Sequence, residues 1–231
     1  MMARQSLFLL GGDSTIFESV AEEFVPVAGG YGATIALLLA GAQGWEDYLP
    51  RYTQPWTRRG VKQIHAIVPA GDGTLDLEAV SAKLREATGI FIGGGDTLTY
   101  HQLFATEPIR SMIRERFQEG VPIAGLSAGA LIVPQICAIP PEDTGDVSVR
   151  IVTGLGLVSG LIVGVHFSEW NSLPYILEAM SKTRTAVGLG IDGAACAILE
   201  NGQFKRALGE SVYRIEMTDF EAKAYKVLSA A

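Results

Sequence analysis

Cysteine is nearly absent from this chain of 231 residues: Cys137 and Cys196 are its two representatives. Two cysteines cannot staple a small secreted scaffold, and neither stands in the paired spacing of a structural zinc site. Both sit among apolar or small residues, so buried, reduced thiols are expected. Positive charge is also short, with 18 Lys and Arg against 25 Asp and Glu and a net charge of −7. Such a chain repels phosphates and lacks a basic cluster, so neither nucleic acid nor an anionic membrane is an expected partner. Long hydrophobic runs are missing: the longest, residues 33–42, is about ten residues where a membrane span needs roughly 20. The start of the chain enters a short apolar segment and meets Gly11-Gly12-Asp13, with no cleavage site behind a long apolar core. A cytoplasmic protein is the expectation.

What is present is core material. Hydrophobic residues make up 48% of the chain and charged residues 19%, enough apolar surface for a substantial core and too little charge for disorder. The length suits one α/β domain over residues 1–231. Strands are expected at 6–10, 34–39, 63–68, 89–92 and 122–126, alternating with helices at 16–24, 45–59, 75–87, 97–104 and 108–119. Alternation of this kind means a mostly parallel sheet flanked by helices through right-handed crossovers. Trp45, Tyr48, Tyr52 and Trp56 recur at helical spacing, which reads as a helix packing its aromatics onto the sheet. Past Ala138 the pattern changes to a turn-rich acidic loop over 140–145, hairpins within 149–165, a helix over 174–184, and short strands at 187–191, 195–199, 203–208 and 212–217. Asn201-Gly202 between two of these marks a tight hairpin turn.

The chemistry concentrates at Gly125-Leu126-Ser127-Ala128-Gly129, after a buried strand and before a helix. This is a Gly-x-Ser-x-Gly elbow: the glycines allow a sharp turn that exposes the serine, and the N–H after the serine points at a developing oxyanion. An ordinary strand-to-helix turn is the plain alternative. Gly93-Gly94-Gly95-Asp96-Thr97 ends the preceding strand, and ligands of open parallel sheets bind outside the carboxyl ends of the strands. A phosphate-binding loop is disfavoured there, because no Gly-x-Gly-x-x-Gly spacing and no Walker lysine occur. Ser127 needs a base, and the chain has three histidines. His65 falls in an expected core strand, where a structural role is usual, and His101 lies on a helix beyond the glycine loop. His166 closes an apolar strand and opens the polar run Ser168-Glu169-Trp170-Asn171, so by elimination it is the general base.

Four segments together resemble the landmarks of serine peptidase family S51, the family of dipeptidase E and cyanophycinase. They are Gly93-Gly94-Gly95-Asp96-Thr97, Gly125-Leu126-Ser127-Ala128-Gly129-Ala130, His166-Phe167-Ser168-Glu169 and Gly190-Ile191-Asp192, and the likeness covers residues 7–212. It implies a fold similar to class I glutamine amidotransferases, Ser127 as nucleophile, His166 as base, and the N–H groups of Gly95 and Ala128 as oxyanion hole. Gly94, Asp96, Thr97 and Trp170 are then expected at the substrate. The family's acid is usually a glutamate at the position held here by Gly193, so Asp192 is expected to serve, with Glu169 the alternative. Gly164, Trp170 and Asn171 stand where members often carry basic or acidic residues, which argues against recognition of an N-terminal aspartate or of cyanophycin.

The expected activity is hydrolysis of short peptides through a serine acyl-enzyme. A catalytically impaired binding protein on the same fold, and an esterase or amidase of small molecules, are the competing readings. No cofactor and no metal are expected, and assembly into a small homo-oligomer rests on analogy alone.

Overall fold

A computed structural model describes residues 3–41 and 44–230. The first half alternates as expected: β1 (Ser6–Leu10), α1 (Phe17–Val27), β2 (Thr34–Leu38), α2 (Trp45–Thr57), β3 (Gln63–Ile67), α3 (Leu77–Glu86), β4 (Gly89–Ile92), α4 (Thr97–Phe104), α5 (Ile109–Gln118) and β5 (Ile123–Leu126). The second half is richer in strands. It holds α6 (Ala128–Leu131), β6 (Ile136–Ile139), α7 (Pro141–Thr144), β7 (Arg150–Thr153), β8 (Leu161–Val165), α8 (Leu173–Thr183), β9 (Val187–Ile191), β10 (Ala195–Glu200), β11 (Gln203–Gly209), β12 (Val212–Asp219) and β13 (Ala224–Ala230).

The main sheet has seven strands in the order β11-β10-β1-β5-β4-β2-β3. Strands β1 to β5 run parallel, and β10 and β11 close one side antiparallel. Alternation along a strand sends successive side chains to opposite faces. Leu7, Leu9, Ala36, Leu38, Ile90 and Ile92 therefore meet α3, α4 and α5, whereas Phe8, Leu10, Ile35, Leu37 and Phe91 meet α1 and α2. On that second face Phe91 is ringed by Phe17, Phe24, Tyr52 and Trp56 at centroid distances of 5.9, 6.4, 5.7 and 5.1 Å. Fully burying one such ring contributes roughly 1.5–3 kcal/mol, so this cluster is a main anchor of α1 and α2 on the sheet.

A second sheet, ordered β13-β12-β9-β8, pairs β8 with β9 in parallel and β9 with β12 antiparallel. Its Val163, Val165, Leu189 and Ile191 belong to the same buried cluster as Leu7 and Leu9 of the main sheet. The two sheets are thus packed over shared apolar residues. Val165 is in register with Ile191, so the next residues, His166 and Asp192, leave neighbouring strand ends side by side.

Two expectations need correction, and one strand was not expected. Residues 149–165 do not fold back on themselves: β7 pairs with β6, and β8 joins the second sheet. Gly154 makes this possible, because its backbone passes against the carbonyls of Ile132 and Pro134, where a side chain would not fit. His65 is not in the core, since β3 is an edge strand; it is half-buried, with Nε2 3.2 Å from a Glu86 carboxylate oxygen but not aligned as a hydrogen bond. Strand β13 lies beyond the expected strands; nearly all of it is exposed, so burial imposes no apolar–polar alternation on its sequence. Cys137 and Cys196 are buried and free, and burial pushes both thiols up.

Candidate active site

Ser127 sits between β5 and α6 with φ 50° and ψ −112°, a conformation that L-residues rarely adopt. Backbone of this kind costs about 1–3 kcal/mol and persists only where its surroundings impose it. Here the Ser127 N–H donates to the Leu10 carbonyl at 3.0 Å, and the Ser127 carbonyl accepts from Ala130 and Leu131. The flanking glycines are needed for close approach: a Cβ on Gly125 would lie 2.5 Å from the Gly129 carbonyl oxygen, and one on Gly129 2.4 Å from that of Ile92. The elbow is held against both β1 and β4.

His166 leaves β8 with φ 46°, and its Nε2 lies 3.2 Å from Ser127 Oγ. Its ring is held from two sides. Trp170 stacks on it with centroids 4.1 Å apart and planes 21° from parallel. Gly12 passes beneath, at φ 146°, where a Cβ would lie 2.0 Å from the imidazole Cε1. Burial holds the His166 pKa below its usual 6.5, a pull opposed by the charges of Glu169, then Asp143, then Asp13. The neutral imidazole, the form able to accept a proton, is therefore favoured.

The two carboxylates expected near His166 are both engaged elsewhere. Asp192 is buried, and its Oδ1 accepts the Ser168 N–H at 3.0 Å. Glu169 Oε1 accepts the Gly193 N–H at 2.8 Å, in the space where a side chain on residue 193 would begin. The pair ties the loop that carries His166 to the end of β9 by two reciprocal bonds. Among the described residues, no carboxylate hydrogen-bonds the His166 ring. His101 has a different partner, with Nε2 2.9 Å from the Thr153 carbonyl oxygen.

The glycine loop lies beside the elbow, as adjacent strands β4 and β5 require. A Cβ on Gly94 would lie 3.2 Å from Ser127 Cβ. The Ala128 N–H opens α6, and the first N–H groups of a helix have no partner within it. Thr97, expected at the substrate, is instead buried, and its hydroxyl donates to Asp143 of the acidic loop over 140–145. Burial raises the Asp143 pKa against the lowering effect of that hydrogen bond. Asp96 caps α4, accepting from the Thr99 N–H at 2.8 Å and its hydroxyl at 2.6 Å.

A cavity of about 560 Å³ opens beside the dyad. Gly12, Gly94, Gly95, Asp96 and Leu126 form the wall nearest Ser127 and His166, and α2 supplies Trp45, Tyr48, Arg51 and Tyr52 on the far side. The aromatic stripe of α2 is therefore divided. Trp56 is buried against Phe91, Tyr52 both packs there and faces the cavity, and Trp45 and Tyr48 line the cavity. Trp170 is not in the cavity wall and meets the histidine instead.

The strained serine, its histidine and the glycine loop beside them all lie within one longer match: the model of Peptidase family S51 matches residues 7–207. The chain belongs to family S51. Cyanophycinase from Geminocystis herdmanii is 26% identical over 228 residues, covering 96% of this chain and 83% of its own. Peptidase E from Shewanella denitrificans is 41% identical over 117 residues, or 51% of this chain and 43% of its own. The crystal structure of a peptidase from an acI-B1 Actinobacterium superposes with a TM-score of 0.73 at 17% identity, covering 100% of this chain and 96% of that one, and so shares the fold. As a member of S51 the chain is a serine-peptidase-type hydrolase. No helix among its described residues is long and apolar enough to cross a membrane.

Proposed function

We propose that this S51 chain hydrolyses short peptides through an acyl-enzyme on Ser127, with His166 as general base. The observation that carries the reading is the 3.2 Å approach of Ser127 Oγ to His166 Nε2 at a strained strand-to-helix elbow. Neutral Nε2 takes the hydroxyl proton as Oγ attacks the scissile carbonyl. The developing oxyanion meets the N–H groups of Gly95 and Ala128. The imidazolium then returns its proton to the leaving amine, and water activated by the same nitrogen releases the acid. Gly94 and Asp96 shape the substrate side of the glycine loop, Thr97 holds Asp143 from its buried position, and Trp170 orients the His166 ring.

For the acid, Asp192 and Glu169 divide the work in this reading. Asp192 fixes the His166 loop through Ser168, and Glu169 supplies the leading favourable charge to the imidazolium. One observation favours a second reading, a peptide-binding protein of low turnover: neither carboxylate hydrogen-bonds the ring. Dipeptide and tripeptide hydrolysis, measured beside the Ser127→Ala and His166→Ala variants, separates the two. Turnover lost in both variants with the fold intact supports the peptidase, and turnover unchanged in Ser127→Ala refutes it.

A further inference from the structure

The cavity beside the dyad has an unusual lining. Phe17, Trp45, Tyr48, Tyr52 and Tyr100 give it aromatic walls, and two charged residues, Arg51 and Asp96, border it. Those charges are not equivalent. The Asp96 carboxylate is committed to capping α4 through Thr99. Arg51 is exposed, its guanidinium rests 5.2 Å from the Tyr48 ring centroid, and among the described residues it has no carboxylate partner. An aromatic wall ending in one unpaired cation suits a ligand with a bulky apolar body and a single anionic end.

We propose that this cavity receives the C-terminal residue of the substrate, with a large apolar side chain against Trp45, Tyr52 and Tyr100 and the terminal carboxylate on Arg51. The inference rests on the peptidase reading above and adds to it a substrate class. Every peptide carries one terminal carboxylate, so a single cation is enough for a residue whose side chain is uncharged. An acidic side chain in the cavity would need a second cation, and the lining has none among the described residues. A basic side chain would face Arg51 itself. The preferred substrates are then short peptides ending in phenylalanine, tyrosine or leucine with a free carboxylate. Peptides ending in small, acidic or basic residues, and peptide amides, are disfavoured.

Calorimetric binding to the Ser127→Ala protein tests this without relying on turnover, using Ala-Phe, its C-terminal amide, Ala-Ala, Ala-Asp and Ala-Arg. Ala-Phe should bind about 10- to 100-fold tighter than its amide, the range expected of a charge-assisted hydrogen bond, and tighter than Ala-Ala by a similar factor. Arg51→Gln should erase the difference between acid and amide and leave Ala-Phe amide binding unchanged. Trp45→Ala should weaken Ala-Phe and spare Ala-Ala. Thermal melting of both variants checks that each folds. Equal binding of acid and amide, a preference for Ala-Asp or Ala-Arg, or no binding of Ala-Phe would each overturn the proposal. Hydrolysis by the wild-type protein separates the two levels: Ser127-dependent turnover without this selectivity refutes the pocket assignment alone, whereas turnover independent of Ser127 refutes the dyad.

Discussion

Glu169 Oε1 accepts the Gly193 N–H from the very loop that carries His166, and its carboxylate occupies the space that a side chain on residue 193 would enter. Glu169 therefore bears on His166 from the loop after β8, whereas Asp192 stands at the strand end of β9. Its charge is the leading favourable influence on the His166 imidazolium, working against burial. The sign of the pH dependence follows. A base whose pKa is held below 6.5 stays neutral to lower pH, so the acid limb of kcat/KM should have its midpoint below 6.5. Removing the anion in Glu169→Gln leaves desolvation less opposed and should move that midpoint lower still. Asp192→Asn should leave it where it is, because Asp192 is not among the charges that raise His166. A pH–rate profile of the three proteins checks this, and an upward shift in Glu169→Gln would contradict it.

Asp192 has a different consequence. It is a buried carboxylate that accepts a backbone N–H at 3.0 Å. Deleting such an acceptor leaves the Ser168 N–H without its partner, so Asp192→Ala should lose about 1.5–3 kcal/mol of stability in urea unfolding. Asp192→Asn, which keeps an oxygen at the same place, should lose less.

The approach of Gly12 to the imidazole allows no side chain. In Gly12→Ala the new methyl group would lie 2.0 Å from His166 Cε1, at a φ of 146° that alanine avoids. The ring must move, and a displacement near 1 Å costs about 100-fold in rate. A fall of that size in kcat/KM, with a melting curve that still shows a cooperative fold, is the expected result.

Trp170 stacks on His166 and does not line the cavity. Trp170→Ala should therefore lower kcat by about 2- to 10-fold and leave KM nearly unchanged. A rise in KM with kcat preserved would return Trp170 to the substrate pocket.

The strained serine carries a stability signature as well. Glycine tolerates φ 50° and ψ −112° far better than serine does. Ser127→Gly should be inactive and more stable than the wild type by about 1 kcal/mol, measured by denaturant unfolding. Equal or lower stability would mean that the elbow holds little strain.

The parallel half of the fold was legible because its strands are short, mostly apolar and punctuated by glycine, as in residues 6–10 and 89–92. The elbow was legible for a similar reason, since Gly125, Ser127 and Gly129 are local in sequence. The antiparallel half was read less well. Residues 149–165 alternate β-branched residues with glycine, a pattern that fits a local hairpin as readily as two strands joining different partners. The dual use of α2 was also hidden. Trp45, Tyr48, Tyr52 and Trp56 share one helical spacing, and only tertiary packing decides that Trp56 is buried while Trp45 and Tyr48 border a cavity. Gly12 read as the end of a strand, and nothing local shows that an imidazole lies against it.

The most direct test of the dyad is covalent labelling with an organophosphonate specific for activated serines, mapped by mass spectrometry. The account predicts one adduct per chain, on Ser127, with a labelling rate that falls below pH 6.5 as His166 becomes protonated and collapses in His166→Ala. No adduct on the folded protein, or an adduct on another residue, would contradict it.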